Sequence, residues 1–215
     1  GGRGVVPDGI DGRAGVSEGP SGSGEAPGPR GESLPDPVEA LASALPRALI
    51  AEGLATPLAR RWVEAAASAV ASAGTAIACW PLDRSLQNAL FDARRARRLV
   101  RGLEGAADLL ATEEAGLKRA GAAVAGGRRI SRLLVVTTDG SERFYREVER
   151  LRSRFGARLE VIAVDADEQT LGTALFGRGT RARAVLVSHK APVAGILRCL
   201  AGSAPEAEAI VQEPD

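Results

Sequence analysis

The alternation of apolar and polar positions is clearest between Ile130 and Leu200, where short apolar runs are separated by stretches of helical period. Ser131–Thr138 (SRLLVVTT), Arg158–Val164 (RLEVIAV) and Ala182–Ser188 (ARAVLVS) have the length of strands buried on both faces. Between the first two, Phe144, Val148, Leu151 and Phe155 fall at i, i+4, i+7 and i+11, one face of an amphipathic helix. Ser141 is placed to cap that helix and Gly156 to end it. Asp167 can cap a short helix carrying Leu171, Ala174 and Leu175. Lys190–Leu200 predicts a last helix with Val193, Ile196, Leu197 and Leu200 inward and Pro192 in its first turn. Buried strands separated by helices imply an α/β fold with a parallel or mixed sheet and helices on both faces.

Upstream the signals are helical. Val38, Leu41, Ala42 and Leu45 are in phase until Pro46, predicting a short helix within Pro35–Ile50. Thr56-Pro57 offers a cap and a first-position proline for a helix reaching Ala73, with Leu58, Trp62, Ala66, Ala69 and Val70 on its apolar face and Gly74 at its end. Thr75–Trp80 (TAIACW), stopped by Pro81, fits a short strand or a buried connector. Asp83–Arg98 reads as a helix with Leu86, Leu90, Ala93 and Ala96 inward, and Arg98–Arg101 (RLVR) as a very short strand before Gly102. A long alanine-rich helix from Leu103 to about Val124 follows, with Leu103, Ala106, Ala107, Leu110, Leu117 and Val124 in phase. No repeat of 20–50 residues is evident.

Composition divides the chain further. Residues 1–33 are rich in Gly, Pro, Ser and acids with few large apolar side chains, and such a segment cannot offset its ordering entropy. The organisation expected is a disordered tail (1–33), a helical extension (34–82), an α/β domain (83–203) and a flexible C-terminal tail (204–215). Residues 1–40 carry three arginines against seven acids, a balance of −4; the remainder holds 25 basic and 20 acidic residues, or +5. That excess suits a modest interaction with a polyanion. Two cysteines without ligand spacing, Cys79 and Cys199, point to a reducing compartment. No apolar run approaches the ~20 residues of a membrane span, so a cytoplasmic protein without membrane contact is expected. The chain starts at Gly and holds no Met, which predicts a natural start further upstream.

Candidate chemistry is sparse. No P-loop, dinucleotide fingerprint or metal-ligand spacing occurs, so neither cofactor nor metal nor catalysis is expected. Asp139 and Asp165 end strands at the edge where α/β proteins place ligands, but each precedes a helix start, where turn formation accounts for it. The single His189 has no nucleophile in a nearby motif. Trp62, Trp80, Phe144, Tyr145 and Phe155 are too scattered for a base-stacking platform and are expected in the core. Arg94, Arg95, Arg97, Arg98 and Arg101 put five guanidinium groups into eight residues, a pattern suited to phosphate.

Four segments, in order, resemble the ribosomal protein L-seven-Ae, L-thirty-e and Gadd-forty-five superfamily in its bacterial, kink-turn-binding form. Ala93–Gly102 (ARRARRLVRG) is similar to the opening "LARRAGKLVSG" of those proteins, and Leu133–Ser141 (LLVVTTDGS) to their "LVLIAEDAS". Leu171–Gly177 (LGTALFG) is similar to "LGxALG", and Val185–His189 (VLVSH) to the last strand. The resemblance covers about 110 residues, Asn88 to Leu200. It implies a three-layer α-β-α sandwich around about four strands and binding of kinked RNA where the first strand meets the next helix. Of the family's "G-T-N-E-x-x-K" signature only Gly102 is present; Glu104 stands at the amide position and Asp108 at the lysine. By the same resemblance Arg178, Arg181 and Arg183, in the loop before the last strand, flank the RNA site.

The expectation is therefore a non-catalytic protein of translation or RNA processing that binds structured RNA, or the ribosome, through Arg94–Arg101, Gly102, Glu104, Arg178, Arg181 and Arg183. A second reading keeps the fold as a protein–protein interaction or regulatory domain. A third, a small transferase using Asp139 and Asp165, has no cofactor motif behind it.

Overall fold

Five strands form one open mixed sheet in the order β1-β4-β3-β5-β2, with helices on both faces. The computed structural model describes residue 1 and residues 36–67, 76–119 and 128–202. Contacts divide the chain into Gly1–Leu34 and Pro35–Asp215, and every element below belongs to the second unit. The expected tails, the helix ends expected at Ala73 and Val124, and Gly126-Gly127 fall outside the described residues.

The chain runs α1 (Pro37–Ala44), α2 (Arg47–Ala51), α3 (Ala55–Ala67), β1 (Cys79–Pro81), α4 (Arg84–Arg95), β2 (Leu99–Arg101) and α5 (Leu103–Arg119). It continues with β3 (Arg132–Thr137), α6 (Glu142–Phe155), β4 (Leu159–Asp165), α7 (Glu168–Phe176), β5 (Ala184–Val187) and α8 (Lys190–Gly202). Caps set several boundaries. The carboxylates of Asp36, Asp83 and Asp167 accept from the backbone N–H groups of Val38, Leu86 and Thr170, and the Ser141 hydroxyl accepts from that of Phe144. Pro46 splits the first expected helix into α1 and α2.

β1, β4 and β3 are parallel; β5 lies antiparallel to both β3 and β2. The sheet has one strand beyond the four or so expected, because Cys79–Pro81 pairs with Ala163–Asp165 and adds an edge. Pro81, lacking an N–H, is tolerated at that edge. The 34–82 segment thus supplies both this strand and three helices of the same core.

Side chains alternate between the two faces. Leu133 and Val135 of β3, Ile162 and Val164 of β4, and Val185 and Val187 of β5 pack under α1–α4, α7 and α8. Leu134, Val136, Val161, Ala163 and Leu186 pack under α5 and α6. Trp62, Trp80, Tyr145 and Phe155 are buried as expected, Trp62 and Trp80 edge to face at 5.9 Å. Phe144 departs from expectation: it is half-buried, edge-on to Tyr145, and its outer side borders a cleft. Leu117, expected inward, is 40% exposed because α5 extends past the sheet face that Ala106 and Leu110 cover. Among the described residues no helix is long and apolar enough to cross a membrane.

Candidate nucleic-acid interface

Strand directions decide which arginines meet. β2 ends where β5 begins, with Arg101 paired to Val185 and the Gly102 N–H donating to the Ala184 carbonyl at 2.8 Å. Gly102 has φ +83°, a left-handed conformation that turns the chain from β2 directly into α5. The loop after α7 returns to the same end of the sheet. It runs so close to the helix that a Cβ on Gly172 would stand 2.1 Å from the Thr180 carbonyl oxygen, so only glycine admits this path. The Ala182 N–H donates to the Glu168 carbonyl at 2.8 Å and closes the loop on the start of α7.

The result is a cleft of about 670 Å³ bordered by Arg101, Gly102, Phe144, Thr180, Arg181 and Arg183. Two segments some eighty positions apart in sequence, both named as candidates, form its walls. Beside it Phe176 is flanked by two guanidinium groups, Arg94 at 5.4 Å and Arg101 at 5.8 Å from its ring centre. Arg94 also lies 5.9 Å from Phe91, which is 40% exposed. Such contacts contribute about 0.5–1 kcal/mol each at exposed sites and orient the groups without neutralising them.

Acids temper the cleft. Glu168 lies 3.1 Å from Arg183 and 3.5 Å from Arg181, and Asp139 lies 3.9 Å from Arg183. Asp139 is a turn residue, as expected: it accepts from the Thr137 hydroxyl at 2.5 Å and from the Glu168 N–H at 3.2 Å. Asp165 ends β4 exposed, opposite Pro81 in the β1–β4 pairing. Glu104 is exposed in the first turn of α5. His189 serves locally, its Nδ1 accepting from the Ala191 N–H at 3.2 Å at the start of α8.

The remaining candidates stand elsewhere. Arg95, Arg97 and Arg98 lie where α4 gives way to β2, at the far end of that strand from Gly102, roughly 13 Å along an extended chain from Arg98 to Gly102. Arg97 has φ +56° and sits at the left-handed position of a Schellman turn. The Arg98 N–H reaches Ala93 O and the Arg97 N–H reaches Arg94 O, both at 2.8 Å, while the Arg98 carbonyl accepts from the Ser188 N–H at 2.8 Å. Arg178 is exposed on the loop and does not border the cleft. Among the described residues none of Arg94, Arg95, Arg97, Arg98, Arg101 or Arg178 has a carboxylate within 4 Å. The sequence did not signal Phe91 or Phe176 as part of this surface; the Leu175–Gly179 (LFGRG) run was the one hint, an aromatic beside glycines and an arginine.

No family model and no curated protein matches the chain. Among solved structures it is similar to a protein of unknown function from Bacillus halodurans C, at 18% identity and a TM-score of 0.37, over 56% of this chain and 100% of that one. That likeness is too slight to support a function.

Proposed function

We propose that this chain is a non-catalytic RNA-binding protein of the ribosomal, kink-turn-binding type, acting on structured RNA in translation or RNA processing. The observation that carries the reading is the meeting of Arg101 and Gly102 with Arg181 and Arg183 around one cleft. The four-segment resemblance adds to it, since one of those segments ends in Arg101 and Gly102 and two others bracket the loop that carries Arg181 and Arg183. A sugar–phosphate backbone lies along the cleft, and Arg94, Arg95, Arg97 and Arg98 extend the positive strip down the edge strand β2.

The acids do not defeat this. Arg181 and Arg183 keep 70% and 45% of their side-chain surface exposed, and exposed ion pairs contribute only about 0–1 kcal/mol. A phosphate with several acceptor oxygens can displace Glu168 from such a pair. Departure from the family signature at Glu104 and Asp108 shifts the preference from a kinked helix towards backbone and shape. Filter binding of kinked, straight and single-stranded RNA at two salt concentrations tests the proposal. Retention of the two structured RNAs, falling at least about tenfold between 50 and 200 mM salt, is the expected result. Equal, salt-independent retention of all three, or none, would contradict it.

A further inference from the structure

At the opposite end of the sheet from the arginine cleft, a second cavity of about 890 Å³ opens between α2, the chain leading into β3 and the first turns of α8. Its volume lies within the range of small-molecule sites. Arg47, Arg128, Arg129, Lys190 and Arg198 line it, and no carboxylate does. Pro46, Ala48, Ala191 and Ala194 give it an apolar wall.

The charges are not all compensated. Arg128 is matched by Glu160, and Arg198 by Glu52 through paired hydrogen bonds of 2.7 and 2.6 Å. That second pair also ties α8 to the end of α2 and fixes one side of the cavity. Arg129 donates one N–H to the Leu45 carbonyl at 2.9 Å, which holds its guanidinium in place with other N–H groups to spare. Arg47, Arg129 and Lys190 have no acidic partner among the described residues. Three positive charges on three different segments therefore converge on a recess with an apolar side.

We propose that this cavity binds a nucleoside polyphosphate, its phosphates held by Arg47, Arg129 and Lys190 and its base laid against Ala48, Ala191 and Ala194. Inorganic phosphate would leave the apolar wall unused. A recess between helices, unlike the cleft at Gly102, is shaped for a small molecule rather than for a continuous strand. The apolar wall offers no hydrogen-bond pattern that separates adenine from guanine, so the two bases bind alike. This site is independent of the RNA reading above.

Calorimetric titration of the full chain with ATP, GTP and pyrophosphate tests it. One equivalent of ATP or GTP should bind, the two within about threefold of each other and at least about tenfold tighter than pyrophosphate. The double variant Arg47→Glu/Lys190→Glu should weaken ATP at least about tenfold. Ala191→Trp, which fills the space and alters no charge, should do the same while RNA retention stays at the wild-type level. Failure of ATP to saturate the wild-type chain, equal binding of pyrophosphate, or unchanged ATP affinity in Ala191→Trp would overturn the proposal.

Discussion

Arg97 stands at a helix end where glycine is the usual residue, with a left-handed backbone that costs a side chain about 1 kcal/mol. Nothing it touches in the fold requires an arginine: it is exposed and makes no ion pair among the described residues. A strained side chain of this kind is what a binding surface retains at the expense of stability. Arg97→Gly should accordingly raise the melting temperature by about 2–4 °C, for a gain of about 1 kcal/mol in a chain of this size, while lowering RNA retention. A rise in both would detach Arg97 from the interface. Glu168 makes the complementary case, since it holds Arg181 and Arg183 in place and competes with phosphate for them. Glu168→Gln should strengthen RNA binding by roughly threefold at 50 mM salt, with a smaller gain at 200 mM. Weaker binding would mean that the acid's positioning of the arginines outweighs its competition.

At the scale of elements, the three buried strands were legible to within two residues because four or more consecutive apolar positions admit little else. Strand β1 was not. Three residues ending in Pro81 carry no period, and only pairing with Ala163–Asp165 distinguishes strand from connector. That placement has a chemical consequence at Cys79. Burial raises its thiol pKa, and the nearby Asp165 carboxylate raises it further. The neutral thiol therefore persists to higher pH than in a free cysteine, and Cys79 should alkylate slowly at pH 8 and faster as pH rises. Asp165→Asn removes the smaller of the two causes and should speed the reaction; an unchanged rate would mean that desolvation alone protects the thiol. The two halves of the arginine cleft were legible singly, as a very short strand ending in Arg101 before Gly102 and as a basic loop. Their juncture was expected from the resemblance alone; composition and spacing do not show it, because it depends on Gly172 letting the Thr180 backbone approach α7, a contact with no local signature.

Over the whole molecule, the sheet separates two positively charged sites. Arg101, Gly102, Arg181 and Arg183 gather where β2 ends and β5 begins; Arg47, Arg129 and Lys190 gather where β3 begins and β5 ends. Net charge could not reveal this, since +5 over residues 41–215 says nothing of where the charges lie. It also could not show that Arg95, Arg97 and Arg98 stand a strand's length from Gly102. The adjacent arginines read as one cluster in sequence, but the three-residue strand β2 carries Arg101 away from the others. The central claim is that Arg101, Arg181 and Arg183 act as one surface for RNA. The direct measurement is the salt dependence of structured-RNA binding by the chain and by Arg101→Glu/Arg181→Glu/Arg183→Glu, with circular dichroism to confirm that the triple variant keeps its fold. A folded variant that loses at least about a hundredfold in affinity at 50 mM salt, with a slope of log affinity against log salt shallower by about two to three, is the result this account predicts; a folded variant that binds with the affinity and slope of the original chain would contradict it.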